Sequence, residues 1–128
     1  MTIDELEGKA LAEAVALAEG WEKTEFIYNE LWRRPGIPGA FPKVADYRPD
    51  RDITQAWELD GEGWRWEMWE FHNGYDDDGP IVGLATIVHV PGVDDAIKVH
   101  LNFNDFPTKS AAYATARCRA FLKAKAAQ

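Results

Sequence analysis

Apolar residues recur at helical spacing at both ends of the chain and alternate with polar ones between. Over residues 2–18, Ile3, Leu6, Ala10, Ala14 and Leu17 fall on one stripe, which Leu11, Val15 and Ala18 widen. Glu5, Lys9 and Glu19 lie away from that stripe. Thr2 and Glu5 have capping-box spacing, and Gly20 stands where a left-handed residue ends a helix, so the pattern predicts a helix from Thr2 to about Ala18. Over Thr108–Lys125, Ala111, Ala114, Cys118, Phe121 and Leu122 share a face just after Pro107. The small side chains at 111, 114 and 118 would let this second helix lie close on a sheet.

The centre reads as strands. Trp64, Trp66 and Met68 alternate with Arg65 and Glu67, and the register then jumps to Trp69 and Phe71. Such a jump in a period-two pattern predicts a bulge, or a strand covered on both faces, over 64–72. Residues 81–90 are apolar on both faces, as a central strand would be. Residues 96–103 alternate cleanly, with Ile97, Val99, Leu101 and Phe103 on one face and Lys98, His100 and Asn102 on a wet one. The polar stretch 72–80, with Asp76, Asp77 and Asp78 in a row, is a hairpin loop. Asp52 can cap a short helix that ends at Gly61, with Ile53, Ala56 and Trp57 turned inward. Residues 24–32 fit either a strand or a helical turn.

Residues 35–50 form a proline-rich surface segment. The stretch 33–49 holds four of the seven prolines and two Pro-Gly pairs, so it is extended. Ile37, Phe41, Val44 and Tyr47 give it apolar anchors. The order helix, strands, helix predicts a single α+β domain over 1–128: an antiparallel sheet of three or more strands with the N- and C-terminal helices packed on one face. The proline segment and the 52–60 helix would then shield part of the other face or an edge.

Composition narrows the classes. A chain of 128 residues with 46% apolar content and six Trp can build a core without staples. One cysteine excludes an internal disulfide, and the opening MTIDELEGK does not read as a signal peptide. The apolar runs are too short to span a bilayer. A formal charge of −8 disfavours nonspecific binding to nucleic acid.

Three stretches resemble a known group. ELEGKALAEAVALAEGW (5–21), YRPDRDITQAWEL (47–59) and FPTKSAAYATARCRAFLKA (106–124) are similar, in that order, to the NinX-like small phage and prophage proteins of the phage α-β-α sandwich type. The proline-rich insert and the tryptophan-dense first strand depart from that pattern. The resemblance implies a phage or prophage origin and a place in the host cytoplasm. It brings no catalytic residue with it.

The residues themselves point to binding rather than to a reaction. His72, His89 and His100 have no metal-ligand spacing, and the Asp76–Asp78 run lacks the alternation of a calcium loop. Cys118 on an apolar helix face is a buried structural thiol with no base beside it. No catalytic residue, metal site or cofactor is assigned. The expected binding surface is Arg33, Arg34, Arg48 and Arg51 of the proline segment with Trp57 and Trp64, because Trp beside Arg suits both protein interfaces and stacking sites. Replacing these four arginines with Ala is expected to move the melting temperature by only a few degrees. The reading that follows is a non-catalytic accessory protein that binds a host protein, for example to blunt a defence system. The alternative is a binder of a small, nucleotide-like anion. A second copy of the chain is a further open partner.

Overall fold

The computed structural model describes residues 2–34, 42–73 and 79–128. Its opening segment divides in two. Thr2 starts a 3₁₀ turn, Ile3–Glu5, with the expected capping box; the Thr2 amide donates to Glu5 Oε2 at 3.4 Å. The chain leaves helical geometry at Leu6 and restarts at Gly8, whose φ of 60° suits glycine. Helix α1 is therefore Gly8–Ala18 and not a helix from Thr2. The restart rotates the apolar stripe. Leu11, Ala12, Val15 and Ala16 are buried, while Leu17 is 61% exposed. The stop is the one the sequence predicts: Gly20 N–H donates to Leu17 O and Trp21 N–H to Ala16 O, both at 3.0 Å, in a Schellman pattern.

The stretch that fitted either strand or helix is an antiparallel hairpin, β1 (Glu22–Phe26) and β2 (Asn29–Arg33). Its two-residue turn, Ile27–Tyr28, holds both residues at positive φ, 48° and 65°. Asn-Gly is the usual occupant of such a turn, so Ile-Tyr gave no warning of it. The described part of the proline segment continues the ladder. Trp32 N–H donates to Pro42 O at 2.9 Å and Val44 N–H to Glu30 O at 3.0 Å. Tyr47 stacks on Trp21 with centroids 6.0 Å apart and donates its hydroxyl to Glu19 at 2.9 Å. Val44 and Tyr47 thus anchor the segment, against the hairpin and the end of α1. These described contacts fall on the hairpin and the end of α1, and not on the other face or an edge of the main sheet, where the segment was expected. Ile37 and Phe41 lie outside the described residues, as do Asp76, Asp77 and Asp78.

Helix α2 is Ile53–Trp57, capped by Asp52, whose carboxylate accepts from the Thr54 and Gln55 amides. Of its three apolar residues only Ala56 is buried; Ile53 and Trp57 are 39% and 45% exposed, contrary to the inward orientation expected. Strands β3 (Arg65–His72), β4 (Ile81–His89) and β5 (Ile97–Asn102) form one antiparallel sheet in that order, with β4 central. The bulge in β3 falls at Phe71/His72, three residues beyond the register jump. Trp66 and Met68 therefore share one face with Leu84, Thr86, Val88, Val99 and Leu101, and Trp69 and Phe71 point to the other with Ala85 and His100. Phe71 lies over Gly83, where any side chain would collide with its ring.

Helix α3, Lys109–Ala127, rests directly on β4 and β5, and α1 and α2 pack against α3 in turn. It is buried nearly all round over Ala114–Leu122. Its alanines make that possible, since a helix between a sheet and two other helices has room for little more than Cβ atoms on most sides. Thr108 caps it, accepting from the Ala111 amide at 3.1 Å. Leu11, Val15, Leu59, Leu84, Val88, Val99 and Phe121 form one core around it.

Candidate functional site

Two arginines on α3 are buried where a helix needs none. Arg119 sends Nε and Nη2 to Leu6 O at 3.1 and 3.0 Å, tying down the break before α1. Arg117 sends Nη2 to Leu59 O at 2.8 Å and Trp57 O at 3.5 Å, the orphan carbonyls at the end of α2. Both are carbonyl clamps that fasten other segments to α3. A sequence reading that places them as solvated charges misses this. Their signal is their position, between alanines in the middle of a helix too apolar to be wet.

Arg117 does more than clamp. Its guanidinium carbon lies 3.4 Å from the centroid of the Trp66 ring and 5.3 Å from that of Trp57. Asp60 orients the Trp66 ring by accepting its indole N–H at 2.8 Å. Arg117 is only 9% exposed, and its Nε–H has no hydrogen-bond acceptor among the described residues. No carboxylate there reaches ion-pair distance of it. Burial pushes its pKa down to about 10, against a partial opposing pull from Asp60. A cavity of about 200 Å³ opens at this point, lined by Trp57, Trp66, Glu67, Met68, Thr86 and Arg117. Trp57 and Met68 of its lining are exposed, and Ile53 is exposed beside Trp57 in the adjoining hollow.

The six residues expected to form the binding surface separate. Trp57 belongs to this cleft. Trp64 does not: it is 8% exposed, packed on Phe121 and Trp66 with centroids 5.8 and 6.1 Å away, and has no face for a partner. Arg48 is also committed, donating Nε and Nη2 to Asp50 at 2.8 and 2.7 Å with both side chains largely buried. Arg34 donates to Glu19 O at the end of α1, and Arg33 pairs with Glu22 across the hairpin at 3.2 Å. Arg51 is exposed. The four arginines therefore form no single patch. A larger cavity of about 330 Å³ lies between α1, the hairpin and residues 43–48. Lys9, Lys43 and Arg48 line it, but Arg48 is paired with Asp50 and Glu13 and Glu30 offset the two lysines, so it offers an anion little net positive field.

Cys118 is fully buried, and burial raises the pKa of its thiol far above the reactive range. Cys118→Ser is expected to cost on the order of 1–3 kcal/mol by burying a hydroxyl, read from chemical unfolding. Native Cys118 should resist thiol reagents; rapid labelling would contradict its place in the core. His89 pairs with Glu67 at 2.6 Å, and His100 lies against Phe71. Among the described residues no group of three or more His, Cys, Asp or Glu side chains is placed to hold a metal ion. No described helix is long and apolar enough to cross a membrane. Comparison with protein families, curated proteins and solved structures finds no match for this chain.

Proposed function

We propose that this chain is a non-catalytic binding protein whose contact surface for another protein is the cleft of Trp57, Met68 and Arg117 with Ile53 beside it. The observation that carries the reading is the pairing of an exposed Trp with a buried, incompletely satisfied Arg at the mouth of a small cavity. Trp and Arg are the side chains that dominate protein interfaces, and a Trp left 45% exposed beside Met68 costs apolar contact that a partner would restore. Size argues in the same direction. The cavity of about 200 Å³ is below the range of roughly 300–1,000 Å³ typical of small-ligand sites, and suits one side chain of a partner. The likeness of both terminal helices to the phage group further supports a phage or prophage accessory protein, with a host protein as partner and interference with a defence system as one role.

A small anionic ligand is the second reading, and the cavity beside Lys9 and Lys43 has the volume and the cations for it; the hollow of about 570 Å³ at Ile53, Thr54, Trp57 and Glu58 is lined by no cation among the described residues. Two experiments separate them. Trp57→Ala should weaken capture of a partner protein at least tenfold, about 1.4 kcal/mol, with little change in melting temperature, because the ring is half exposed. Unchanged capture would place the contact surface elsewhere. A large rise in melting temperature with a nucleotide would instead favour the second reading, since native-state binding stabilises by mass action.

A further inference from the structure

We propose that the cleft between Trp57 and Trp66 is a receptor for a carboxylate, supplied as an Asp or Glu side chain of the partner, with the Arg117 guanidinium as its counter-charge. This rests on the reading of the cleft as a protein contact surface and names the chemistry that fits it. The argument starts from an unbalanced charge. Arg117 is nine-tenths buried, yet it has no ion-pair partner among the described residues, and its Nε–H is without an acceptor. A buried cation held only by carbonyls and aromatic faces is costly, and it becomes much less so when a carboxylate joins it. Leu59 O and Trp57 O occupy Nη2, so further donor capacity remains for an incoming acceptor. A carboxylate matches it as a full negative charge that can accept from the Nη1 N–H groups, which make no hydrogen bond among the described residues.

The surroundings select within anions. Asp60 holds the Trp66 indole at the cleft, while Glu67 turns its carboxylate to the opposite sheet face, where it pairs with His89. The Asp60 carboxylate penalises each added negative charge. A phosphate, carrying about −1.5 to −2 near neutrality, is penalised more than a carboxylate. The two indole rings give the methylenes of a Glu an apolar channel, and Met68 and Thr86 close the sides. The slot thus fits a short apolar stem that ends in a single negative charge.

The test uses the full chain and small probes, so that it does not depend on knowing the partner. N-acetylglutamate amide, titrated to roughly 100 mM, is expected to bind with a Kd on the order of 1–10 mM. It should shift the indole N–H signals of Trp57 and Trp66 and the Nε–H signal of Arg117 together and to saturation. Trp57→Ala, which leaves Arg117 in place, and Arg117→Gln should each weaken the response at least tenfold; the first keeps the test meaningful if the second does not fold. N-acetylglutamine amide should respond at least tenfold more weakly. Equal response to the glutamine probe would overturn the carboxylate assignment while leaving the contact surface intact. Tighter binding of inorganic phosphate, or no saturable shift with any probe, would also overturn it. Loss of partner capture in Trp57→Ala reports separately on the surface itself.

Discussion

Arg48→Ala is expected to cost about 3 kcal/mol of stability, because it strands a buried carboxylate. Asp50 is 5% exposed, and both its oxygens accept from Arg48. The carboxylate sits against α3, where Thr115 Oγ1 donates to the Asp50 carbonyl at 3.1 Å. That bond fixes the Asp50 backbone against α3, so the carboxylate can reach water only by rotation of its own side chain. For a domain of this size the loss corresponds to roughly 10 °C in melting temperature. Arg51→Ala and Arg33→Ala should each stay within about 0.5 kcal/mol, since one side chain is exposed and the other makes an exposed pair. At Arg48 the expectation that all four arginines can be removed with little effect therefore gives way to an expected loss. The double variant Arg48→Ala, Asp50→Ala should recover part of the loss, because the stranded charge goes with its partner. Urea unfolding of the four variants decides it. A single Arg48→Ala variant as stable as the parent would mean that Asp50 finds water or another donor.

The main sheet was legible because its three strands carry the pattern that burial requires. A central strand is apolar on both faces, and β4 is; a half-wet strand alternates, and β5 does. The terminal helices were legible for the same reason, and the end of α1 for its Gly20. The break at Gly8 was hidden because Ile3 and Leu6 continue the helical spacing across it. The β1–β2 hairpin was hidden because Ile27 and Tyr28 occupy a turn that glycine or asparagine usually marks. The site was only half legible. Composition singles out Trp57, but the arginines nearest to it in sequence are those of the proline segment. The guanidinium that meets it comes from Arg117, sixty residues along the chain, brought there by the packing of α2 on α3. Local composition cannot show which of several arginines a tryptophan will meet, because that depends on which helices cross. One cue was available: a helix with alanine on nearly every side is buried on nearly every side, so arginines within it must find partners inside the protein.

Trp64 carries the other large expected effect, and it separates packing from hydrogen bonding. Trp64→Ala should cost about 3–5 kcal/mol, the range for emptying a large aromatic from a core. The ring lies against Phe121 and Trp66, and the Lys125 ammonium stands 5.9 Å from its centroid. The backbone at Gly61 approaches it so closely that no side chain fits there. Removing the indole therefore leaves a hole bounded by the end of α3, the start of β3 and the turn before it, and none of these can collapse without disturbing the others. Trp64→Phe should behave differently. The buried Trp64 Nε1–H has no acceptor among the described residues, and an unpaired buried donor costs about 1–3 kcal/mol. Phenylalanine removes that donor along with part of the ring, so the two changes oppose one another. The net cost should stay under about 1.5 kcal/mol. Partner binding per folded molecule should be unchanged in both variants, because Trp64 has no exposed face. If Trp64→Phe destabilised the protein as much as Trp64→Ala, the indole N–H would have to be making a bond that stabilises the fold. If Trp64→Phe abolished binding while folding intact, the contact surface would have to extend beyond the Trp57–Arg117 cleft.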